Sequence, residues 1–231
     1  MITAMKNIFK FLVVFFIVVS DSNILYAQND ALPYYPEIQA FKKQDSIQMP
    51  AKNQILFVGS SSFTKWTDVQ NYFPNYPIIN RGFGGSTLLD VMMYADQVIL
   101  PYAPKQIVIY CGENDLAYSD TVSAKTVANR FAGLFDIIRH VWNNVPVAYV
   151  SIKPSPSRES LMPKMVKTNQ LIQTFLKTKS NTVFVDVYHK MLDKEGKPMP
   201  GIFLEDNLHM NAKGYEIWQQ AIQPYLLKDK K

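Results

Sequence analysis

The chain of 231 residues contains one cysteine, Cys111, and three histidines. A single cysteine cannot form a disulfide within the chain, so the fold must be stabilised by its apolar core. No Cys and His residues have the spacing of a zinc site, which argues against a zinc-stabilised domain. Because Cys111 lies in an apolar run, we expect it to be a small buried packing residue.

Dense clusters of charge are also scarce. Charged residues make up 19% of the chain, the net charge is +5, and the only dense basic run is the tail KDKK. A solvated chain end explains this run better than a nucleic-acid surface does, so no nucleic-acid partner is expected. The hydrophobic content of 48% is typical of a folded globular protein, and the length suits one domain with a sizeable core.

The one region that resembles a targeting signal is the N-terminus. Lys6 and Lys10 accompany the unbroken apolar run Phe11–Val19, and Leu25–Ala27 has the character of a cleavage site. The run is too short to cross a bilayer comfortably, so residues 1–27 are predicted to be a secretory signal peptide. An uncleaved anchor is the alternative. We expect export to the periplasm or the medium, with no stable membrane span after cleavage.

The rest of the chain alternates short apolar runs with longer helical patterns after a polar lead-in at residues 28–52. Continuous, Val- and Ile-rich runs of this kind are typical of parallel strands buried on both faces. The strand candidates are 54–58, 77–81, 106–111, 147–152 and 182–187. Helical spacing of apolar residues appears near 127–142, 161–175 and 217–225. Repeated strand–helix units predict one α/β domain over 53–231, with an open parallel sheet and right-handed crossovers.

Four polar loops follow the strands or precede the last helix. GSSS follows the first strand, GFGGST the second and GEND the third, while EDNLHMNAKGY leads into the last helix. Each loop has an ordinary explanation, because Ser and Asn cap helices and Gly supplies positive φ. Ligands of such sheets bind at the carboxyl ends of the strands, however, so these loops are the candidate site.

Taken together, the loops contain every group that ester hydrolysis needs: a hydroxyl nucleophile, a base, an orienting carboxylate and donors for an oxyanion. Asp206 lies three residues before His209, close enough to fix one imidazole nitrogen while the other faces a serine. Asn114 offers an amide, and the backbone N–H groups near Gly85 and the nucleophile are further donors. No metal or organic cofactor is implied by this chemistry.

The four blocks resemble those of the SGNH (GDSL-type) hydrolases, especially the branch similar to platelet-activating-factor acetylhydrolase. FVGSSS, NRGFGGS, GEND and DNLH match its four blocks in order, over about residues 53–226. The resemblance implies a three-layer α/β/α sandwich of the flavodoxin-like type with a five-stranded parallel sheet.

The resemblance also implies a role for each candidate residue. The nucleophile is the third residue of the family's G-D-S signature, here Ser61, and Ser60 replaces the usual Asp. His209 would be the general base and then acid, with Asp206 as its orienter. The Ser61 and Gly85 N–H groups and the Asn114 side chain would form the oxyanion hole. The departure at Ser60 leaves the hydrogen bonding of the turn open.

Other interpretations of the motifs are weaker. Asp186 and His189 form a second D-x-x-H, but the family places its pair in the loop before the final helix. Phe63 stands where the nucleophile elbow of an α/β-hydrolase has Gly, and Thr87 stands where a dinucleotide fingerprint has its third Gly.

The substrate is less well defined by the sequence. With export and no lid-like insertion, the leading hypothesis is an acetyl ester on a carbohydrate. A lysophospholipase or thioesterase, an O-acyltransferase and a non-catalytic carbohydrate-binding module on the same fold remain alternatives. Trp66 is expected to pack in the core, and Lys153 and Arg158 are expected to be solvated loop charges. The sequence does not indicate the oligomeric state.

Overall fold

The structure is a computed structural model that describes residues 32–228. The predicted signal peptide at residues 1–27 lies outside the described residues. Within the described part of the chain, no helix combines the length and the apolar character that a membrane crossing requires.

Five parallel strands form one sheet, as predicted. They are β1 (Ile55–Gly59), β2 (Ile78–Gly82), β3 (Gln106–Tyr110), β4 (Val147–Val150) and β5 (Thr182–Val185). Their order is β2-β1-β3-β4-β5, the flavodoxin-like order, in which β1 lies between β2 and β3. The strand ends differ from the predicted ones by one or two residues.

The early ends of β4 and β5 have a visible cause. The Ile152 N–H donates to the Asn169 side chain at 2.8 Å and not to a neighbouring strand. The N–H groups of Val187 and Tyr188 both donate to the Ser151 hydroxyl at 3.0 Å. Side chains therefore replace ladder bonds at this edge of the sheet, which ends the strands.

Helices cover both faces of the sheet and complete the three layers. They are α1 (Tyr35–Ile47), α2 (Ser61–Thr64), α3 (Val69–Tyr72), α4 (Leu88–Met93), α5 (Ala95–Val98), α6 (Glu113–Tyr118), α7 (Ala124–Val141), α8 (Met162–Lys177) and α9 (Ala212–Ile222). The long α7 and α8 pack on one face, and α9 packs with the aromatic side chains of α2 and its neighbours on the other. Cys111 and Trp66 are fully buried, as predicted.

Helix α1 lies within residues 28–52, for which the sequence predicts only a polar lead-in. One side chain of α1, Ile38, is fully buried, so its apolar periodicity is weak and gives no helical signal. Polar contacts compensate: Asp45 pairs with Arg81 of β2 and accepts a hydrogen bond from Tyr102. Glu37 accepts a hydrogen bond from the Gly84 N–H at 3.2 Å. Helix α1 thus braces the glycine-rich loop after β2.

The end of β1 requires glycine. Gly59 has φ of +139°, and a Cβ built on it would lie 1.9 Å from the Tyr110 carbonyl oxygen of the neighbouring β3. A side chain would force β1 and β3 apart where the serine turn begins, since backbone atoms cannot yield as a flexible side chain does.

We predict that Gly59→Ala lowers the free energy of unfolding by at least about 3 kcal/mol, because the strained φ and the contact with Tyr110 add together. Urea denaturation provides the measurement. Gly196→Ala is the matched control, since Gly196 also has a positive φ, +76°, but nothing lies within 4 Å of a Cβ built on it. That control should cost only about 1 kcal/mol. Equal losses would show that the contact with Tyr110 has no effect.

Candidate active site

The three consecutive serines differ in their surroundings. Ser60 and Ser62 are 3% and 2% exposed, whereas Ser61 is only partly buried. The Ser60 N–H donates to the Tyr110 carbonyl at 3.0 Å, which continues the pairing of β1 with β3 by one residue. Ser61 then begins the short helix α2, and this turn leaves its hydroxyl at the carboxyl edge of the sheet.

Ser61, His209 and Asp206 form one chain of hydrogen bonds. The His209 Nε2 lies 2.9 Å from the Ser61 Oγ, and the His209 Nδ1 lies 2.6 Å from the Asp206 Oδ2. These are the three residues predicted from the sequence, and the structure brings Ser61 and His209 together although they lie 148 positions apart in the chain. This geometry lets an imidazole take a proton from a hydroxyl while a carboxylate holds its other nitrogen.

The carboxylate of Asp206 is held in its charged form. Burial opposes ionisation, but hydrogen bonds from the His209 side chain and from the backbone N–H groups of His209 and Leu208 outweigh it. Together these bonds lower the pKa of Asp206 below its ordinary value. A permanent anion beside Nδ1 favours the tautomer whose Nε2 accepts a proton from Ser61.

The loop that carries Asp206 and His209 is tied to α9 and to the serine turn. The side chain of Asn211 caps α9 by accepting from the Lys213 N–H at 3.0 Å, and it also donates to the Gly201 and Phe203 carbonyls. Tyr215 on α9 donates to the Ser62 carbonyl at 2.9 Å. One helix therefore fixes the loop with the imidazole against the turn with the hydroxyl.

Hydrogen-bond donors converge beside Ser61. Within residues 32–228, the backbone N–H groups of Ser61 and Gly85 have no protein acceptor. A Cβ built on Gly85 would lie 3.7 Å from the Asn114 Nδ2, which shows how close the glycine loop comes to this amide. Two free N–H groups and an amide can stabilise a developing oxyanion.

Ser60 occupies the position of the usual Asp in the SGNH signature, and the structure shows what it contacts. Its hydroxyl accepts a hydrogen bond from the Asn114 Nδ2 at 2.7 Å, and the same nitrogen lies 3.2 Å from the Ser86 carbonyl. The neutral Ser60 hydroxyl in the serine turn therefore positions the Asn114 Nδ2, and it does so without the negative charge that an Asp would place there.

Asp115 of the GEND block links two elements of the site. Its side chain is fully buried and accepts from the Leu88 N–H at 2.9 Å and from Arg130 at 2.8 Å. Burial raises the pKa of Asp115, while the hydrogen bond and charge of Arg130 oppose this effect. Asp115 thus joins the start of α6 to the start of α4.

The expectation that Lys153 and Arg158 are solvated is wrong. Lys153 is fully buried and pairs with Glu113 at 3.2 Å, and the side chain of Arg158, 19% exposed, also pairs with Glu113 at 3.2 Å. Burial lowers the pKa of Lys153 and opposes ionisation of Glu113, but Lys153 and Arg158 outweigh burial and lower the pKa of Glu113. The carboxylate that holds both cations is the second residue of GEND, an x position in the family's pattern.

A cleft of about 660 Å³ opens next to the free donors. Gly85, Asn114, Arg130 and Arg158 are among the residues that line it. The remaining lining includes Tyr34, Leu89, Met93 and Tyr118, of which Tyr118 is 81% exposed. The cleft therefore offers exposed aromatic and apolar surface together with hydrogen-bond donors.

The second D-x-x-H motif forms the same local pair. The His189 Nδ1 lies 2.6 Å from the Asp186 Oδ2, and the His189 N–H donates to the Asp186 Oδ1. In contrast to His209, the His189 side chain is 73% exposed, and its Nε2 has no Ser, Thr or Cys partner among the described residues.

The family model of the GDSL-like lipase/acylhydrolases matches residues 57–217. The chain belongs to this family. It is therefore a carboxylic ester hydrolase of the SGNH type, and the four-block resemblance is confirmed. Among proteins of curated function, none matches the sequence.

Solved structures share the fold. A protein from Streptococcus pneumonia, provisionally assigned as a platelet activating factor, has a TM-score of 0.73 and 22% identity, with 90% of this chain and 99% of that one covered. A GDSL-like lipase from Bacteroides thetaiotaomicron has a TM-score of 0.67 and 20% identity, covering 81% and 95%. An acetylxylan esterase from Geobacillus stearothermophilus has a TM-score of 0.58 and 14% identity, covering 75% and 94%.

We predict that His209→Ala lowers kcat for p-nitrophenyl acetate at least about 10³-fold, because Ser61 loses its proton acceptor. His189→Ala is the matched control, since it removes the same local pair with Asp186 and should change kcat by less than about twofold. Steady-state hydrolysis by the two purified variants gives both values. If His189→Ala lost turnover while His209→Ala kept it, Asp186 and His189 would be the catalytic pair and our assignment would be wrong.

Proposed function

We propose that the protein is an exported serine esterase that removes short acyl groups, foremost acetyl, from carbohydrate esters. The observation that carries the proposal is the hydrogen-bonded chain from Ser61 through His209 to Asp206. It supplies a nucleophile, a base and an orienting carboxylate beside a group of free N–H donors. Export rests on the predicted signal peptide at residues 1–27.

Acylation begins when the Ser61 Oγ attacks the ester carbonyl carbon and His209 Nε2 takes the hydroxyl proton. Asp206 stabilises the resulting imidazolium and does not itself take the proton. The carbonyl oxygen becomes an oxyanion, which accepts hydrogen bonds from the Ser61 and Gly85 N–H groups and from Asn114. When the tetrahedral intermediate collapses, the alcohol leaves with the proton from His209, and Ser61 is left acylated.

The Asn114 amide must give up one protein acceptor to bind the oxyanion. Its bond to the Ser86 carbonyl is the longer one, 3.2 Å against 2.7 Å to Ser60. An anionic oxygen is a stronger acceptor than a neutral carbonyl, so the exchange is favourable in the transition state. The Ser86 carbonyl keeps a donor in the Cys111 thiol at 3.5 Å.

Deacylation repeats the sequence with water. His209 Nε2 takes a proton from the water molecule, whose oxygen attacks the acyl carbon of Ser61. The second tetrahedral intermediate collapses to the free carboxylic acid, and the proton returns from His209 to the Ser61 Oγ. A sugar hydroxyl in place of water would give the transferase alternative.

The cleft beside Gly85 and Asn114 supports a carbohydrate substrate. Sugar rings bind by stacking on aromatic side chains and by hydrogen bonds to their hydroxyl groups. Tyr118, at 81% exposure, and Tyr34 offer such rings, and Arg130 and Arg158 offer donors in the same cleft. The acetylxylan esterase among the structural neighbours acts on an acetylated sugar by its name, although at 14% identity it shows only the fold.

We predict that a fluorophosphonate probe labels Ser61, because among the serines of residues 32–228 only Ser61 is hydrogen-bonded to His209. Peptide mass spectrometry of the labelled protein locates the adduct. Ser61→Ala should abolish labelling, while Ser62→Ala, which removes a buried neighbour, should retain it. An adduct on Ser60 or Ser62 would refute the assignment of the nucleophile, and a folded protein without an adduct or turnover would favour a binding module.

We further predict that Tyr118→Ala raises KM for an acetylated xylo-oligosaccharide about fivefold and leaves KM for p-nitrophenyl acetate unchanged, because only the sugar reaches the ring. Tyr225→Ala, also exposed but outside the cleft, is the control.

Acetate release with and without added sugar acceptor separates hydrolysis from transfer. A marked preference for octanoyl over acetyl esters would contradict the proposed substrate class.

A further inference from the structure

The amide of Asn114 is held at both ends. Its Oδ1 accepts a hydrogen bond from the Arg158 Nη2 at 2.9 Å, and its Nδ2 donates to Ser60 and Ser86. A guanidinium only donates hydrogen bonds, so it excludes the flipped amide, in which Nδ2 would face Arg158. Arg158 therefore determines that the hydrogens of Asn114, and not its oxygen, lie on the side of the serine turn.

Arg158 is itself anchored by a buried carboxylate. Its Nη1 lies 3.2 Å from the Glu113 Oε1, while Glu113 also pairs with Lys153 at 3.2 Å and accepts a hydrogen bond from Tyr110. Glu113 is 4% exposed and Lys153 is fully buried, so solvent does little to loosen this arrangement. Two nitrogens of one planar guanidinium thus connect a rigid anion to the Asn114 oxygen.

The charge of Arg158 has a consequence for the neighbouring amide. Its guanidinium lies 2.9 Å from the Asn114 Oδ1, and the Glu113 carboxylate that pairs with it is shared with Lys153. A cation at the oxygen of an amide draws electron density toward that oxygen, which makes the N–H hydrogens at the other end better donors. The effect is larger in a buried site than in water.

We propose that Arg158 is a positioning residue for the oxyanion hole, which orients and polarises the Asn114 amide through the bond to its Oδ1. The proposal rests on the proposed function, in which Asn114 stabilises the oxyanion. Arg158 acts through Asn114 in this scheme, so its removal weakens binding of the transition state more than binding of the substrate.

The test is a double-mutant cycle on hydrolysis of p-nitrophenyl acetate. Removal of one oxyanion donor costs about 10²- to 10³-fold in kcat, and we expect this loss for Asn114→Ala. Arg158→Met should lower kcat about 10- to 100-fold with KM changed by less than about threefold. In the Asn114→Ala background the same Arg158→Met change should cost less than about threefold, because the amide through which Arg158 acts is gone.

Further variants separate positioning from general stability. Arg158→Lys keeps the charge but has one nitrogen in place of the fork, so kcat should lie between those of the wild type and Arg158→Met. Arg139→Met is the matched control: Arg139 also bonds carbonyl oxygens, of Val145 and Ser180, but at the other end of the sheet, and kcat should not change. If Arg158→Met does not fold, Arg158→Lys in both backgrounds gives the same cycle.

The outcomes distinguish the inference from the proposed function. Equal losses from the Arg158 change with and without Asn114, or no loss of kcat, would overturn the positioning role alone. No loss in Asn114→Ala, with Ser61 still labelled by the fluorophosphonate, would remove Asn114 from the oxyanion hole and the inference with it. No labelling of Ser61 in the wild type would instead refute the proposed function.

Discussion

The parallel pairing of β1 with both β2 and β3 is the constraint on which the site depends. Because Gly59 pairs with Gly82 on one side and with Tyr110 on the other, the loops that follow these three strands must meet at one edge. The serine turn, the glycine loop and the GEND block are those loops. With β1 between β2 and β3, this strand order brings the Ser61 hydroxyl, the Gly85 N–H and the Asn114 amide to the same edge of the sheet. The close approach of Gly59 to the Tyr110 carbonyl shows how little freedom this junction has.

The buried charges behind the junction are the second requirement. An isolated Glu113 would be costly at 4% exposure, and burial alone would drive it toward the neutral form. Lys153 and Arg158 reverse this tendency, so the carboxylate remains an anion that can hold two cations in place. Burying the Glu113 carboxylate costs free energy, but the buried anion fixes Arg158, and Arg158 in turn fixes the Asn114 amide. Asp115, paired with Arg130, performs a similar structural task on the other side of α6.

Much of this arrangement follows from the sequence, and the rest does not for physical reasons. Val- and Ile-rich runs predict five buried parallel strands, and the rule that ligands bind at strand ends selects the loops that hold Ser61 and Asn114. His209 is selected by the resemblance, which places the D-x-x-H pair in the loop before the last helix. Helix α1 gives no signal because polar contacts such as Asp45 with Arg81 replace an apolar face. The burial of Lys153 cannot be read locally either, since its partner Glu113 lies 40 residues away in the chain. Pairing across the fold decides whether a charge is solvated.

The two D-x-x-H motifs show which features of the site come from local sequence and which come from the tertiary fold. In both, the backbone N–H of the His donates to one carboxylate oxygen and Nδ1 lies 2.6 Å from the other, at 186/189 as at 206/209. The three-residue spacing is therefore sufficient to orient the imidazole, whether or not a serine lies next to it. His209 differs from His189 because its Nε2 contacts the Ser61 hydroxyl. The two residues are far apart in the sequence, and α9 holds them together because Tyr215 donates a hydrogen bond to the Ser62 carbonyl in the serine turn. The oriented imidazole is thus a product of sequence spacing, and its access to a nucleophile is a product of the sheet and of α9.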